Sequence, residues 1–532
     1  MTPRQHPISI IRHNENYRTA LLLFLFSFVL FYAFRIPVPI NVDTALYARS
    51  IKTFEGPVVH LGYYGIGSLF QSFLGVFGLT PLQTLGVMSQ FFGGIAVSGL
   101  YVFSLQITED HLQSLLAALI LMFSGAFWLY SIHGEVYVPQ LAFVLLSLIS
   151  IQKQRPLISS LCLLTAVSIT PTSLLALVPI GYLMHMHRLG KKQEAFFLSP
   201  ILIAFITIML LEGPKIIQAF ASAVYSPAIF LDGFSHIGLL REAVYRLIKA
   251  YGRSFNLISF FALIGFVVLY RKDRRKWGLT LSLILPFLAY LLNLALFSSD
   301  HLIISFIAVS LLGSWGILAS LDKLGLFGVK RSVVIVLLLT LYSMISFEFL
   351  VSRQMTYSKE QSRVINALAV KFSKDGIMMA DYIFGVSYAS INMNRNEASI
   401  DLYEGRPNTY LQKNMEGPHN TCARLQKPFW VSFACVPSFA SRKEFKSVVD
   451  NRPIYLVETL DWPVGLVQVF KERLIKMGLE KPRQRIRRVE DIAEYLEYKL
   501  GATITVDRII ASPLHPVYRL RIIGASKDRQ ND

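Results

Sequence analysis

Long apolar stretches run through most of this chain and restrict it to a membrane protein built from helices. Hydrophobic residues make up 53% of the sequence and charged residues only 16%, whereas soluble domains contain about 25% charged residues. Because a helix of about 20 apolar residues crosses the hydrocarbon core, the sequence predicts about eleven spans. They lie near 17–38, 82–106, 113–131, 136–152, 156–170, 171–187, 195–212, 254–271, 277–297, 301–320 and 332–351.

Two apolar segments depart from the pattern of simple spans. The segment 61–80 is rich in glycine and is predicted to be a re-entrant or interfacial helix. The spans 156–170 and 171–187 are both short and are separated by Thr170-Pro171-Thr172. We therefore expect a broken helical pair there, which is tolerated in a membrane only where protein or a wet cavity satisfies the freed backbone groups.

Basic residues in the loops orient the predicted spans. When 61–80 is not counted as a span, the basic loops all fall on the side of the N-terminus, and that side is predicted to be cytoplasmic. These loops are 4–18, 153–155, 185–192, 271–276 and 323–331. The same bias explains the net charge of +18, so nucleic acid is not a predicted partner. The sequence predicts a multi-pass protein of the plasma (inner) membrane with an extracytoplasmic C-terminal part.

The C-terminal part mixes strand and helix patterns and is predicted to form a small α/β domain. We place the boundary between a transmembrane domain, 1–352, and this soluble domain, 353–532. The predicted strands are Ile377–Tyr382, Pro453–Val457, Thr503–Ile510 and Val517–Ile523, with a helix over Val489–Lys499. Cys422 and Cys435 are a candidate disulfide if this domain is exported, or otherwise two unrelated thiols.

Asp43 is the first candidate functional residue, because it directly follows the first predicted span. Ionisable residues at the membrane are costly to keep and mark functional sites by default. On a helix that starts here, Asp43 and Tyr47 are four residues apart and share a face. The alternative is that Asp43 caps this helix, since Asp is a favoured N-cap residue.

The other outer segments supply a second acid and a group of aromatic residues. Glu135 lies at the outer end of a span, where a carboxylate can also serve only to solvate the helix end or to balance its dipole. His60, Tyr63 and Tyr64 are predicted to stack on a sugar or to hydrogen-bond to it. Their alternative role is interfacial anchoring.

These residues resemble short motifs of a known group of enzymes. Asp43-x-x-x-Tyr47-Ala48-Arg49 resembles the Asp-(Glu)-x-x-Tyr-Ala pattern of GT-C fold glycosyltransferases that use lipid-phosphate-linked sugars. The segment 60–64, His-Leu-Gly-Tyr-Tyr, resembles the His-Pro-Pro-x-Tyr type segment that follows it in these enzymes. The resemblance covers about residues 15–210 in order and spacing and rests on topology beyond them.

A third motif adds to this resemblance, and several positions of the sequence depart from the pattern of the group. Glu135-Val136-Tyr137 resembles the Glu-x-Tyr of the second outer loop in protein O-mannosyltransferase-like members of this group. The group that the chain resembles also includes the aminoarabinose-transferase-like superfamily. Thr44 stands where many relatives have Glu, and Leu61 and Gly62 replace the prolines. The Asp-x-Asp metal motif is missing from the sequence, which argues against a metal-dependent oligosaccharyltransferase-like member. No cofactor is expected.

The resemblance implies an inverting transfer of one sugar from a polyprenyl-phosphate donor to an extracytoplasmic acceptor, which is a protein, a lipid or a glycan. Asp43 is then the expected general base, and Glu135 is expected to orient the acceptor or a basic partner. The residues expected to bind substrate are Arg49, His60, Tyr63, Tyr64, Tyr137, Arg246, Lys249, Arg253 and His301.

A basic group in the long outer loop is the candidate site for the lipid phosphate. Arg246, Lys249 and Arg253 are spaced by three and four residues, which places them on one helical face. Attraction to anionic membrane lipid is the alternative role of these residues, and His301 or Arg49 are the other candidates for the phosphate.

Two other functions stay open at the level of sequence. A polytopic lipid or glycan transporter or flippase would show repeats and charged residues along a mid-membrane pathway, whereas the predicted spans are almost uncharged inside. A non-catalytic envelope-assembly protein would retain the fold with a filled pocket in place of a cavity at Asp43.

Overall fold

The protein, seen in a computed structural model, consists of apolar helices followed by a small sheet. The structure describes residues 7–36, 44, 47, 48, 50, 51, 60–204, 206–207, 247–293, 299–371, 377–380, 430–432, 454–457, 502–512 and 517–525. The chain divides into two compact units. The first comprises Met1–Ile36 and Tyr47–Met355, and the second comprises Pro37–Leu46 and Thr356–Asp532.

The first unit is helical wherever the structure describes regular elements. Its first helices are α1 (Pro7–Ala33), α2 (Leu61–Leu74), α3 (Pro81–Thr108), α4 (His111–Met122), α5 (Gly125–Ser131), α6 (Tyr137–Gln152), α7 (Pro156–Ile169) and α8 (Leu177–Met186). The later ones are α9 (191–204), α10 (Leu247–Phe255), α11 (Leu257–Lys272), α12 (Arg274–Asn293), α13 (Phe306–Lys323) and α14 (Gly328–Ser346). A π-helical turn, Phe347–Val351, leads from α14 into α15 (Ser352–Lys371).

Helix ends follow ordinary capping chemistry where the sequence supplies it. Thr80 and Gln83 form a reciprocal capping box at the start of α3, with Pro81 in the first turn. The Asp110 carboxylate accepts the Gln113 N–H, 3.0 Å away, at the start of α4. These contacts satisfy backbone donors that lack a partner within the helix.

Several apolar helices are long enough to cross a membrane. By length and composition, four in the described part meet the requirement: Glu15–Ala33, Pro81–Thr108, Leu302–Lys323 and Gly328–Leu368. The number rises to six when two bent pairs, α4 with α5 at 67° and α10 with α11 at 106°, are each counted as one span. The described residues therefore do not confirm the predicted count of eleven. Breaks shorten several predicted spans, and α6, α7 and Pro171–Met186 are apolar helices of 10–17 residues.

The broken pair predicted at Thr170-Pro171-Thr172 is confirmed. Helix α7 ends at Ile169, a 3₁₀ turn occupies Pro171–Ala176, and α8 follows. The segment predicted to be re-entrant or interfacial forms α2 and a short 3₁₀ turn, Gly75–Phe77. At 1.5 Å per residue, the 14 residues of α2 extend about 21 Å, less than the hydrocarbon core of about 30 Å.

Helices α11 and α13 pack through facing glycines. A Cβ atom built on Gly316 would lie 2.9 Å from the Gly265 nitrogen and closer still to the Phe261 carbonyl oxygen. A Cβ atom on Gly265 would meet the Gly316 nitrogen at 3.0 Å and would overlap the Leu312 carbonyl. Small residues allow this close backbone approach, which is how helices in membranes gain packing energy.

We expect Gly316→Ala to lower the free energy of unfolding by about 1–3 kcal/mol, because the methyl group forces two backbones apart. The loss should exceed the gain of up to about 1 kcal/mol in helix propensity. Gly181→Ala in α8 is the matched control, since a Cβ atom there meets nothing within 4 Å. Thermal unfolding in detergent should show a lower Tm only for Gly316→Ala, and equal Tm values for both variants would contradict this account.

The second unit contains a five-stranded sheet. The strands are β1 (Ile377–Ala380), β2 (Trp430–Ser432), β3 (Ile454–Val457), β4 (Ala502–Ile510) and β5 (Val517–Ala525), in the order β2-β1-β3-β5-β4. Strand β1 is parallel to β2 and β3, whereas β5 is antiparallel to β3 and β4. Four of these strands overlap predicted strands and β2 was not predicted, but the described residues do not confirm the predicted α/β domain. The predicted helix Val489–Lys499, Cys422 and Cys435 lie outside the described residues.

Helix α15 contributes a buried face and a polar contact to the second unit. Val364, Ile365 and Leu368 are buried on it. The Ser512 hydroxyl donates to the Glu360 carboxylate at 2.6 Å. Arg363 binds the same carboxylate at 2.7 Å and donates to the Ala511 carbonyl at 2.9 Å. These contacts fix the end of β4 to the helix.

Candidate functional site

Glu135 lies in the short connection between α5 and α6 and is almost fully buried, with 1% of its surface exposed. Its backbone is held by Ser89 of α3. The Glu135 N–H donates to the Ser89 hydroxyl oxygen at 3.3 Å, and that hydroxyl lies 3.5 Å from the Glu135 carbonyl oxygen. A second bond joins the Glu135 N–H to the His133 carbonyl at 2.9 Å. The position of Glu135 is therefore fixed by a neighbouring helix as well as by its own turn.

His133 is the nearest titratable neighbour of Glu135. Its Nδ1 lies 3.9 Å from the Glu135 Oε1, and only 3% of the side chain is exposed. Neither ring nitrogen has a hydrogen-bond partner among the described residues. Burial lowers the pKa of His133 to about 3, so the imidazole is neutral near pH 7 and its contact with the carboxylate is not an ion pair.

Tyr63 connects α2 to this acid. The residue is fully buried, and burial raises the pKa of its phenol well above 10.0, with the nearby Glu135 carboxylate as the second cause. A negative charge next to a phenol disfavours phenolate, which is why the two effects add. Tyr63 is therefore a neutral O–H group close to a buried carboxylate.

Tyr47 joins these residues to His60 through ring contacts. Its ring centroid lies 5.1 Å from that of Tyr63, 6.1 Å from that of Tyr64 and 5.4 Å from the His60 imidazole. The contacts with Tyr63 and His60 are edge-on, and such contacts between aromatic rings are favourable and directional. We call Tyr47, His60, Tyr63, His133 and Glu135 the Glu135 cluster.

Tyr137, predicted to bind substrate, extends the aromatic surface beside the Glu135 cluster. It begins α6 and is half-buried. The Tyr130 ring lies 5.6 Å from Tyr137 and 5.9 Å from the His133 imidazole. The structure therefore brings five of the predicted site residues into one region: His60, Tyr63, Tyr64, Glu135 and Tyr137.

Lys249 and Arg253 lie on α10, which meets α11 at a sharp kink. Asn256 forms the kink with φ 34° and ψ −114°, a backbone conformation that costs energy for a residue other than glycine. Its side chain accepts the Leu257 N–H at 2.6 Å and donates to the Ser346 hydroxyl at 3.1 Å. These two hydrogen bonds stabilise the bend between α10 and α11.

The backbone places this basic helix near the connection that leads to Glu135. A Cβ atom on Gly125 would lie 3.2 Å from the Arg253 carbonyl oxygen, and Gly125 is the first residue of α5. The Tyr251 hydroxyl lies 2.6 Å from the Ser305 hydroxyl, at the end of the 3₁₀ turn Ser299–Ser305, which contains His301. The His301 side chain, Asp43, Arg49 and Arg246 lie outside the described residues.

Several members of this region could not be selected from the sequence. Ser89 is a serine inside an apolar helix, a common arrangement that gives no signal of a contact 46 positions away. Tyr130 belongs to a predicted span and shows no motif. His133 lies two residues before Glu135 of the Glu-x-Tyr motif, and this proximity in sequence was a signal that it could belong to the site.

Comparison with known proteins gives matches only at the level of structure. No protein-family model matches the sequence, and no curated protein matches it. The structure is similar to the archaeal oligosaccharyltransferase AglB from Archaeoglobus fulgidus in complex with an inhibitory peptide and a dolichol-phosphate. The identity is 13%, the TM-score is 0.46, and the match covers 83% of this chain and 69% of AglB.

Two further solved structures are similar over nearly all of this chain. ArnT from Cupriavidus metallidurans bound to undecaprenyl phosphate is 8% identical, with a TM-score of 0.45 and coverage of 95% of this chain and 97% of ArnT. The arabinofuranosyltransferase AftD from Mycobacteria is 13% identical, with a TM-score of 0.46 and coverage of 96% of this chain and 40% of AftD. At these identities and TM-scores, no site residue is transferred from them to this chain.

Proposed function

We propose that this protein is an integral membrane glycosyltransferase that transfers a sugar from a polyprenyl-phosphate donor to an extracytoplasmic acceptor with inversion. The observation that carries the proposal is the Glu135 cluster. A carboxylate that is 1% exposed is costly unless the surroundings compensate for it, and such groups concentrate at functional sites. Here it adjoins phenol and imidazole groups that suit the binding of sugar hydroxyls.

The chain on both sides of Asp43 supports its role as the general base. Seven residues before it, the Ile36 N–H donates to the Ile132 carbonyl at 3.2 Å, one residue before His133. Four residues after it, Tyr47 contacts His60 and Tyr63. Asp43 itself lies outside the described residues. Its role as the base is proposed from the motif that it shares with Tyr47 and Arg49.

The proposed reaction forms one bond and breaks one. The acceptor oxygen or nitrogen attacks the anomeric carbon of the donor sugar while Asp43 takes the acceptor proton. The bond from the anomeric carbon to the phosphate oxygen breaks, and polyprenyl phosphate leaves with the electron pair. Attack opposite the leaving group inverts the anomeric configuration, and a positioned base typically contributes about 10²–10⁴-fold to such a step.

The leaving phosphate needs positive charge, and the proposal assigns this role to the α10 region. Lys249 and Arg253 lie on α10, and the Arg253 carbonyl is adjacent to Gly125 at the start of α5. Helix α5 has seven residues and so extends about 10 Å towards His133. Arg246, Arg49 and His301 complete the proposed set of phosphate ligands.

The proposal includes a topology and two domains. We infer about eleven spans within residues 1–352, a cytoplasmic N-terminus, and an extracytoplasmic domain formed by residues 353–532. The basic loops support this orientation because Lys and Arg collect on the cytoplasmic side. The proposed membrane is the plasma (inner) membrane. The transfer assay described below determines whether the acceptor is a protein, a lipid or a glycan.

The test is transfer by the purified full-length protein in liposomes that contain native membrane lipid. Radiolabelled polyprenyl-phosphate hexose and pentose are supplied separately, and labelled product is resolved into lipid, protein and glycan fractions. Labelled product with a stoichiometric yield of polyprenyl phosphate supports the proposal. Movement of intact labelled donor between leaflets without transfer would show a transporter instead, and neither activity with any donor would favour an assembly protein.

A further inference from the structure

His133 is a buried polar side chain whose hydrogen-bonding groups the fold leaves unused. Only 3% of the side chain is exposed, and neither ring nitrogen has a hydrogen-bond partner in the described part of the chain. Buried polar groups in folded proteins are nearly always hydrogen-bonded, and one without a partner costs free energy. The structure therefore carries a cost at His133 that a bound ligand would remove.

The Glu135 carboxylate favours a hydrogen on the Nδ1 of His133. Burial lowers the pKa of His133 to about 3, so near pH 7 the imidazole is neutral and only one of its nitrogens carries a hydrogen. Nδ1 lies 3.9 Å from the Glu135 Oε1, and a negative charge attracts an N–H group but repels a lone pair. Nδ1 is therefore a hydrogen-bond donor beside the carboxylate.

The gap between Nδ1 and Oε1 has the dimensions of a binding site for one hydroxyl group. At 3.9 Å the two atoms are too far apart for a direct hydrogen bond, which requires about 2.7–3.2 Å. A hydroxyl oxygen about 2.8 Å from each of them would donate to Oε1 and accept from the Nδ1–H. A carboxylate offers about four acceptor positions, so the other contacts of Glu135 leave room for this one.

Aromatic rings lie next to the two polar side chains. The Tyr130 ring is 5.9 Å from the His133 imidazole and 5.6 Å from the Tyr137 ring, and Tyr63 is close to the Glu135 carboxylate. Binding sites for small molecules typically combine apolar and aromatic walls with a few precisely placed polar groups. A sugar presents apolar C–H faces as well as hydroxyl groups, so it fits these surroundings better than an isolated water molecule does.

We propose that His133 is a substrate-binding residue which, together with Glu135, binds one hydroxyl group of the donor sugar. The hydroxyl donates its hydrogen to the Glu135 Oε1 and accepts the Nδ1–H of His133. This inference rests on the proposed function and deepens it, because it adds a residue to the sugar site and assigns the direction of two hydrogen bonds.

The first measurement is the Kd of radiolabelled polyprenyl-phosphate hexose or pentose, and of polyprenyl phosphate without a sugar, for the full-length protein in lipid bilayers. His133→Leu should weaken binding of the sugar-bearing donor by roughly ten-fold, the effect of one hydrogen bond. It should leave the Kd of polyprenyl phosphate unchanged, which also shows that the variant is folded. Equal weakening of both ligands, or a wild-type Kd for the donor, would overturn the proposal.

Two further variants separate the hydrogen bond from the shape of the side chain. His133→Asn keeps an amide N–H near the position of Nδ1, so its donor should bind within about three-fold of wild type. His111→Leu is the control, since His111 is exposed at the start of α4 and contacts the Tyr101 hydroxyl at 2.8 Å. It should bind the donor as wild type does. An equal loss in His133→Asn and His133→Leu would contradict the role of the N–H.

The second measurement uses donors in which one sugar hydroxyl at a time is replaced by hydrogen. In wild type, loss of the bound hydroxyl should weaken binding by roughly ten-fold or more. In His133→Leu the same deoxy donor should show a penalty that is several-fold smaller, because groups that share a partner do not contribute additively. If every deoxy donor has the same penalty in both proteins, His133 binds water or an acceptor group instead, and the proposal is wrong.

Binding and transfer together separate failure of this inference from failure of the proposed function. If wild type binds the donor through His133 but transfers no sugar, the glycosyltransferase proposal fails and the hydroxyl contact stands. If wild type transfers sugar but no deoxy penalty depends on His133, only the inference about His133 is wrong. If wild type binds none of the donors, both fail.

Discussion

Asp43→Asn is expected to reduce sugar transfer by about 10²–10⁴-fold, the usual contribution of a positioned general base. The substitution keeps the size of the side chain and removes its ability to take a proton. It also distinguishes the two roles that the sequence allows, because Asn caps a helix about as well as Asp does. If Asp43 only capped a helix, Asn would preserve both stability and transfer.

The measurement compares transfer rates and Tm values of Asp43→Asn, Asp43→Ala and a control. Asp322→Asn is the matched control, since Asp322 is 52% exposed and pairs with Arg331 at 3.2 Å, and such exposed pairs contribute little. We expect Asp43→Asn to retain the Tm of wild type while it loses transfer. Transfer within two-fold of wild type would remove Asp43 from the chemistry and leave the capping role.

The sequence predicted those features of the fold that local chemistry specifies. Pro171 lacks an N–H and cannot continue α7, so the broken pair was predictable. Alternating apolar residues gave β4 and β5, which pair along nearly their whole length. The candidate site was partly predictable for the same reason, because polar residues at helix ends, such as Glu135 and His60, stand out against apolar spans.

Features of the fold and the site that depend on tertiary contacts could not be predicted from the sequence. The kink at Asn256 depends on Ser346, 90 positions away, and a window that reads apolar length does not detect it. Strand β2 has three residues and is too short for an alternating pattern. The contact between the His60 Nδ1 and the Ile169 carbonyl joins residues 109 positions apart. Such features follow from which elements meet, and single-residue patterns carry no information about that.

Glu135→Gln is expected to lower transfer per folded protein by roughly 10²-fold, the effect of removing one preorganised electrostatic group. Glutamine keeps the shape of the side chain, and the bonds between the Glu135 backbone and Ser89 and His133 do not involve the carboxylate. The protein should therefore become less active while the backbone around residue 135 keeps its position.

This combination separates a functional carboxylate from a structural one. A structural carboxylate stabilises the fold through its own bonds, so replacing it lowers the Tm and affects transfer only through unfolding. A carboxylate required for function has a different signature, because its loss lowers transfer per folded protein whatever the change in Tm. Glu194→Gln is the control, since Glu194 is exposed on α9. A lower Tm with unchanged transfer per folded protein would assign Glu135 to the fold, and the Glu135 cluster would no longer support the proposed reaction.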